Sequence, residues 1–175
     1  TCNFQLALFK SYFNMRAHSF DYRQHHDLFE RYGISPSGVE RLQYSWNEPH
    51  RHYHTERHLS FLVSRIEQSD LRGDDLDKML LTAFFHDVVY DPTAQDNEEQ
   101  SAEVLRETTQ HAVVPEVADM IMDTKTHRPR TELSRRFVEL DMAVVSESDF
   151  AGLLEWERAV FKEFQYVDYS LYKTG

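Results

Sequence analysis

The stretch Met79-Leu80-Leu81-Thr82-Ala83-Phe84-Phe85-His86-Asp87-Val88-Val89-Tyr90 decides the fold. It is apolar around almost the whole circumference of a helix, which is the pattern of a helix buried at a domain centre rather than laid on its surface. Such a helix needs neighbours on several sides, and the flanking sequence supplies them. Upstream, helical periodicity runs over 3–13 and 20–32, the second stopped by Gly33. Pro36 and Gly38 mark a turn before a short helix over 39–46, and Asn47-Glu48-Pro49 breaks the chain. A helix over 53–68 follows, then the turn Arg72-Gly73-Asp74 and the central helix over 76–89, ended by Asp91-Pro92. Downstream, Asp96 and Glu99 read as a capping box opening a helix to about Gln110. Helices over 115–126, 131–144 and 150–167 complete the set, the last with Phe150, Leu153, Leu154, Val160, Phe161 and Phe164 on one stripe. No segment alternates with a strand's period of two, and no internal repeat is present. The expectation is an all-α, compact helical bundle, one domain over residues 1–175.

Bulk properties narrow the class. An apolar fraction of 41% suits a globular chain, and 19 basic against 30 acidic residues give a net charge of −11. That balance argues against non-specific binding to nucleic acid or to an anionic membrane. Cys2 is the only cysteine, so no internal disulfide forms, and no apolar run approaches the ~20 residues that span a bilayer. A soluble, cytoplasmic protein is expected. Oligomeric state leaves no mark in the pattern.

Chemistry concentrates in a few places. Of 10 histidines, His18, His25, His26, His50 and His111 need no more than solvent or a helix surface to explain them. His86 and Asp87 differ, because a carboxylate in so apolar a segment loses several kcal/mol of solvation unless a cation or a dense hydrogen-bond network compensates it. A structural His–Asp pair is the alternative. In Tyr53-His54-Thr55-Glu56-Arg57-His58, the histidines stand four apart, on one face of the expected helix. A zinc-protease motif would place Glu directly after the first His, where Thr55 stands, so that reading is set aside. Asp141 lies on the apolar stripe Leu133, Phe137, Leu140, Val144 and also calls for a cation, which Arg135 or Arg136 could otherwise supply. Two imidazoles and two carboxylates suit a borderline or hard divalent ion.

The order His, His-Asp doublet, distant Asp resembles the signature of the HD superfamily of metal-dependent phosphohydrolases. The segments 51–58, Phe85-His86-Asp87-Val88-Val89-Tyr90-Asp91-Pro92 and Asp96-Asn97-Glu98-Glu99-Gln100-Ser101-Ala102 are similar to a branch of predicted phosphohydrolases in that superfamily. The resemblance runs from about Trp46 to the C-terminal helix. It implies an HD-domain-like fold with His58, His86, Asp87 and Asp141 as metal ligands. The Tyr-His-x-x-x-His arrangement is similar to that of cyclic-nucleotide phosphodiesterases, and this implies metal binding for the second histidine and general-acid duty for the first, His54. Asp141, in Leu140-Asp141-Met142-Ala143, matches the closing motif, although Leu140 and Glu139 depart from it. Members with two metals carry two further histidines between the doublet and the last Asp. Here only His127 has a similar context, so one divalent ion is expected, whether Mn, Fe, Mg, Zn, Ni or Co. The resemblance also implies more helix after Gly175 than the chain contains.

The implied reaction is hydrolysis of a phosphate ester in a small phosphorylated substrate, with nucleotides the family-level expectation. Asp87 would orient the attacking water as well as bind metal, and His54 would protonate the leaving oxygen. Arg51, Lys125 and Arg128 are the nearest basic residues and candidates for holding phosphate oxygens. Asn97, Glu98 and His127 are candidates for supporting the ligands. The rival readings are a catalytically silent, metal-stabilised nucleotide-binding or signalling module, and an oxygenase of the HD fold.

Overall fold

A computed structural model describes residues 19–173. Among them all regular secondary structure is helical, with no strand and ten α-helices after a short 3-10 turn, Tyr22–His25. They are α1 His26–Arg31, α2 Pro36–Trp46, α3 Glu56–Glu67, α4 Gly73–Phe85, α5 Asn97–Thr108, α6 Val114–Thr126, α7 Glu132–Asp141, α8 Ala143–Glu147, α9 Phe150–Glu163 and α10 Tyr169–Tyr172. The helix expected over 3–13 lies outside the described residues.

The all-round apolar segment takes the central position. Helix α4 packs against α3, α5, α6 and α7, and Met79, Leu80, Leu81, Ala83, Phe84 and Phe85 are all buried. Fully burying a side chain of this size stabilises the fold by roughly 1.5–3 kcal/mol. Trp46, Leu59, Leu62, Ile66, Leu105, Ile121 and Phe137 close the core around it.

Several boundaries differ from the expected ones, each for a local reason. Gly33 does stop α1: at φ 68° it lets Gly33 N donate to Glu30 O (3.1 Å) and Ile34 N to Phe29 O (2.8 Å), the paired bonds of a Schellman ending. The helix before it is split, however, into the 3-10 turn and α1. Helix α2 starts three residues earlier than expected, because Pro36 fits a first helical turn and Ser35 caps it, accepting from Gly38 N at 3.2 Å. Helix α3 starts three residues later, since Thr55 is its N-cap and accepts from Arg57 N (3.3 Å). Helix α4 begins at Gly73 and ends at Phe85, before the His-Asp doublet. The Asp96–Glu99 capping box does not form: Asp96 makes no cap bond and accepts from Gln100 Nε2 instead, while Glu99 pairs with Lys125. The helix expected over 131–144 breaks at Met142, so α7 ends on Asp141. Buried Asp123 sets the α6–α7 junction, accepting from Arg130 N (2.9 Å), Arg130 Nε (2.6 Å) and Ser134 Oγ (2.6 Å). The helix expected over 150–167 stops at Glu163, and Phe150, expected on its inward stripe, is 78% exposed.

Candidate metal centre

Three helix ends bring the candidate residues together. His58 projects from the first turn of α3, His86 is the C-cap of α4, Asp87 follows it in the turn, and Asp141 is the last residue of α7. One ligand atom each of His58, His86 and Asp141 lies within 4.8 Å of the others, so this trio could hold a metal ion. Asp87 is outside that tight group but flanks it, its Oδ2 3.1 Å from His86 Nε2. The two imidazoles form a buried floor, 1% exposed each, and the carboxylates of Asp87 and Asp141 form a rim at 18% and 17%.

The end of α4 explains the orientation of His86. A helix leaves its last carbonyls without intrahelical donors, and here they are buried and must be met by side chains. His86 Nδ1 donates to Ala83 O (3.0 Å) and Trp46 Nε1 to Phe84 O (3.0 Å), and in the turn that follows Arg51 Nη1 and Nη2 donate to Asp87 O (2.7 Å) and Val88 O (3.2 Å). Because a carbonyl only accepts, Nδ1 of His86 carries the proton and Nε2 of the neutral ring is a lone pair. That buried Nε2 has no hydrogen-bond partner, yet it stands 3.1 Å from Asp87 Oδ2 and 3.6 Å from Asp141 Oδ1. A lone pair facing two carboxylates is repulsive until a proton or a metal cation lies between them, so the donor set fits a divalent ion.

Electrostatics agrees. Burial opposes charge on His86, but Asp87 and Asp141 outweigh it and raise the imidazolium pKa well above its ordinary value. Burial pushes His58 the other way, only partly offset by Asp141, whose Oδ1 is 3.0 Å from His58 Nε2. For both carboxylates burial alone would favour the neutral form. The charge of His86 overrides it for Asp87, and the hydrogen bond with His58 together with the nearby charge of His86 does so for Asp141, so both sit well below the usual carboxylate range.

His54 is not on the helix with His58, as the spacing suggested; it stands in the turn just before the Thr55 cap. Its ring lies 6.1 Å from that of His58 and stacks on Tyr90 at 4.1 Å between centroids. Glu163 holds it, a residue the sequence reading missed. Glu163 interrupts the stripe Leu153, Trp156, Val160, Val167, and a carboxylate on an apolar stripe is the same signal that exposed Asp141. Burial raises its pKa, but the hydrogen bond and charge of His54 and two backbone amides win, bringing it from 4.5 to about 2.

The remaining candidates are placed apart from the trio. Arg51 is fully buried, paired with Glu48 (2.9 Å) and bonded to carbonyls, so its guanidinium supports the turns rather than facing a substrate. Asn97 closes the Asp91 turn, accepting from Asp91 N (3.0 Å) and donating to Asp91 O (2.8 Å). Lys125 ties down the start of α5, donating to Gln95 O (2.5 Å) and Glu99 (2.6 Å), with Glu98 at 3.8 Å. His127 ends α6 in the left-handed conformation, φ 50°, and both it and Arg128 are exposed. Among the histidines set aside, His25 is buried between Phe20 and Phe84 rather than on a surface, His50 bonds to Tyr90 O (2.8 Å), and His111 packs on Tyr32. His18 lies outside the described residues. No described helix is long and apolar enough to cross a membrane.

No protein-family model, curated protein or solved structure matches the chain.

Proposed function

We propose that the protein is a metal-dependent phosphohydrolase of the HD type, acting on a small phosphate ester such as a nucleotide. The observation that carries this reading is the pairing of a His58/His86/Asp141 group suited to one divalent ion with a carboxylate-braced histidine, His54, at its edge. Asp87 is the fourth ligand in this reading. A divalent ion bound there supplies Lewis-acid polarisation of a phosphoryl oxygen and a lowered pKa for water. The chain's own residues do the rest. The Asp87 carboxylate accepts a hydrogen bond from the attacking water and orients it. His54 enters as imidazolium and gives its Nε2 proton to the leaving oxygen as the P–O bond breaks, ending as neutral imidazole.

The test separates the two histidines. Purified protein should hold about one divalent ion per chain, and a panel of phosphomonoesters and diesters should reveal turnover. His58→Ala should lose ion and turnover together. His54→Ala should keep the ion and lose about 10²–10⁴-fold in kcat, the usual worth of general acid catalysis. The loss should be smaller for a p-nitrophenyl ester, whose leaving group barely needs a proton. No ion after supply of Mn²⁺, Fe²⁺ or Zn²⁺ would overturn the ligand assignment. An ion-loaded protein that turns over no ester would overturn the hydrolase and leave a binding module.

A further inference from the structure

Helix α9 carries Leu153, Leu154, Trp156, Val160 and Phe161, yet none of these is fully buried; its only buried residues are Gly152 and Glu163. Burying a carboxylate in place of an apolar side chain is unfavourable unless its lone pairs are met. Those of Glu163 are met by five donors, divided unevenly. Oε1 accepts the backbone N–H groups of His52 (2.6 Å), Tyr53 (2.7 Å) and His54 (3.0 Å), three successive amides forming a concave anion nest. Oε2 accepts His54 Nδ1 (2.8 Å) and the Tyr90 hydroxyl (2.8 Å). Tying the loop down needs only the first oxygen. The second meets side chains alone, and both of those side chains lie at the edge of the candidate metal centre.

We propose that Glu163 is the positioning residue for His54, setting its tautomer and ring plane, so that α9 assembles the proton-transfer half of the site independently of the helices that carry the metal ligands. This rests on the assignment of His54 as the general acid. Because Oε2 can only accept, the neutral imidazole left after proton transfer keeps its proton on Nδ1, and Nε2 is the position that exchanges it. Tyr90, drawn to the same oxygen, stacks on the ring and fixes its plane.

The replacement Glu163→Gln isolates this role. A glutamine must turn its oxygen toward one set of donors and its NH₂ toward the other. Facing NH₂ to the nest opposes three fixed N–H groups. Facing it to His54 and Tyr90 opposes two groups that can adapt, because the ring can shift its proton to Nε2 and the hydroxyl can rotate to accept. The second orientation costs less, so the loop stays tied while the tautomer changes. A neutral ring with Nε2–H cannot act as the acid, since giving up that proton would leave an imidazolate.

Ring ¹⁵N shifts of Zn²⁺-loaded protein, with His54 identified by its absence in His54→Ala, read the tautomer directly. The wild type should show Nδ1–H for neutral His54, and Glu163→Gln should show Nε2–H with unchanged zinc content. In the ester assay Glu163→Gln should lower kcat about 10–100-fold for an alkyl phosphate and only a few-fold for the p-nitrophenyl ester. The double variant with His54→Ala should be no slower than His54→Ala alone, because both remove the same step. Nε2–H in the wild type would overturn the proposal, as would an equal loss on both esters or losses that multiply in the double variant. The wild-type spectrum decides the matter even where the glutamine variant fails to fold. If the wild type hydrolyses no ester, the functional reading falls, while the tautomer measurement still judges the pairing.

Discussion

Replacing Arg51 distinguishes a support from a substrate clamp. Its guanidinium is wholly buried and makes five hydrogen bonds. Two go to Glu48 Oε2 (3.0 and 2.9 Å), and one each to the carbonyls of His54 (3.2 Å), Asp87 (2.7 Å) and Val88 (3.2 Å). The charge also lies 5.6 Å from the Trp46 ring and 5.4 Å from that of Tyr90. In Arg51→Met, Glu48 is 27% exposed and regains water, so its loss counts for little. The three carbonyls are left without this donor inside the fold, at about 1–1.5 kcal/mol each. The sum is about 3–5 kcal/mol, which agrees with the usual effect of removing one partner of a buried pair. At ~2–4 °C per kcal/mol for a chain of this size, Tm should fall by about 6–20 °C. Urea unfolding should show a lower midpoint at unchanged m-value, and metal content should fall only as the fold does. Arg51→Lys keeps the charge but not the fork, and should recover less than half of the loss. A change in unfolding free energy under about 1 kcal/mol, together with a raised KM, would refute the structural assignment and return Arg51 to the substrate.

Chelation and acid titration test two further parts. Trp46 is buried with its ring 5.6 Å from that of His86, so Ni²⁺ or Co²⁺ should quench its fluorescence in a Trp156→Phe background and EDTA should restore it. Removing the ion should also lower Tm, since α3, the end of α4 and α7 are joined there; quenching that persists in His86→Ala would refute the placement. Glu163, depressed from 4.5 to about 2, contributes stability that is complete above pH 4.5 and is lost as pH falls toward 2. The contribution is roughly 3 kcal/mol. The stability difference between wild type and Glu163→Gln, measured by urea unfolding, should therefore shrink over that interval, and a pH-independent difference would refute it.

Features governed by short-range rules were legible in the sequence. The all-round apolar run of α4, the Gly33 ending and the absence of strand all follow from periodicity and backbone preference. His86 and Asp141 were legible as inward-facing because polar groups stood where apolar neighbours were expected, whereas His58 was told from His54 only by the family resemblance. What was lost lay at helix ends, where competing side-chain bonds decide. His54 stands four residues before His58 and so read as helical, although Thr55 between them is a cap residue and the helix begins only after it. Asp96 and Glu99 had the spacing of a capping box, yet a lysine of another helix took Glu99. Lys125 looked free because Gln95 O and Glu99 are distant in sequence, and Arg51 because the carbonyls of Asp87 and Val88, which complete its burial, are distant too, which no local pattern reports.

The same helix ends account for the chemistry. His86, Asp87, Asp141 and His54 all lie at a terminus or in a turn, and His58 sits in the first turn of α3. A helix body satisfies its own backbone and leaves side chains indifferent to it, whereas a buried terminus presents carbonyls and amides that must be paired. Here those groups recruit the site's own rings. Ala83 O takes the Nδ1 proton of His86 and turns its Nε2 toward the carboxylates, while the amides of residues 52–54 take Glu163, which in turn takes His54. Arg51 joins the two turns by bonding the carbonyls of both His54 and Asp87. Orientation of His86, and of His54 through Glu163, is therefore a by-product of backbone satisfaction. Perturbing it requires changing not the ligands themselves but the termini they complete.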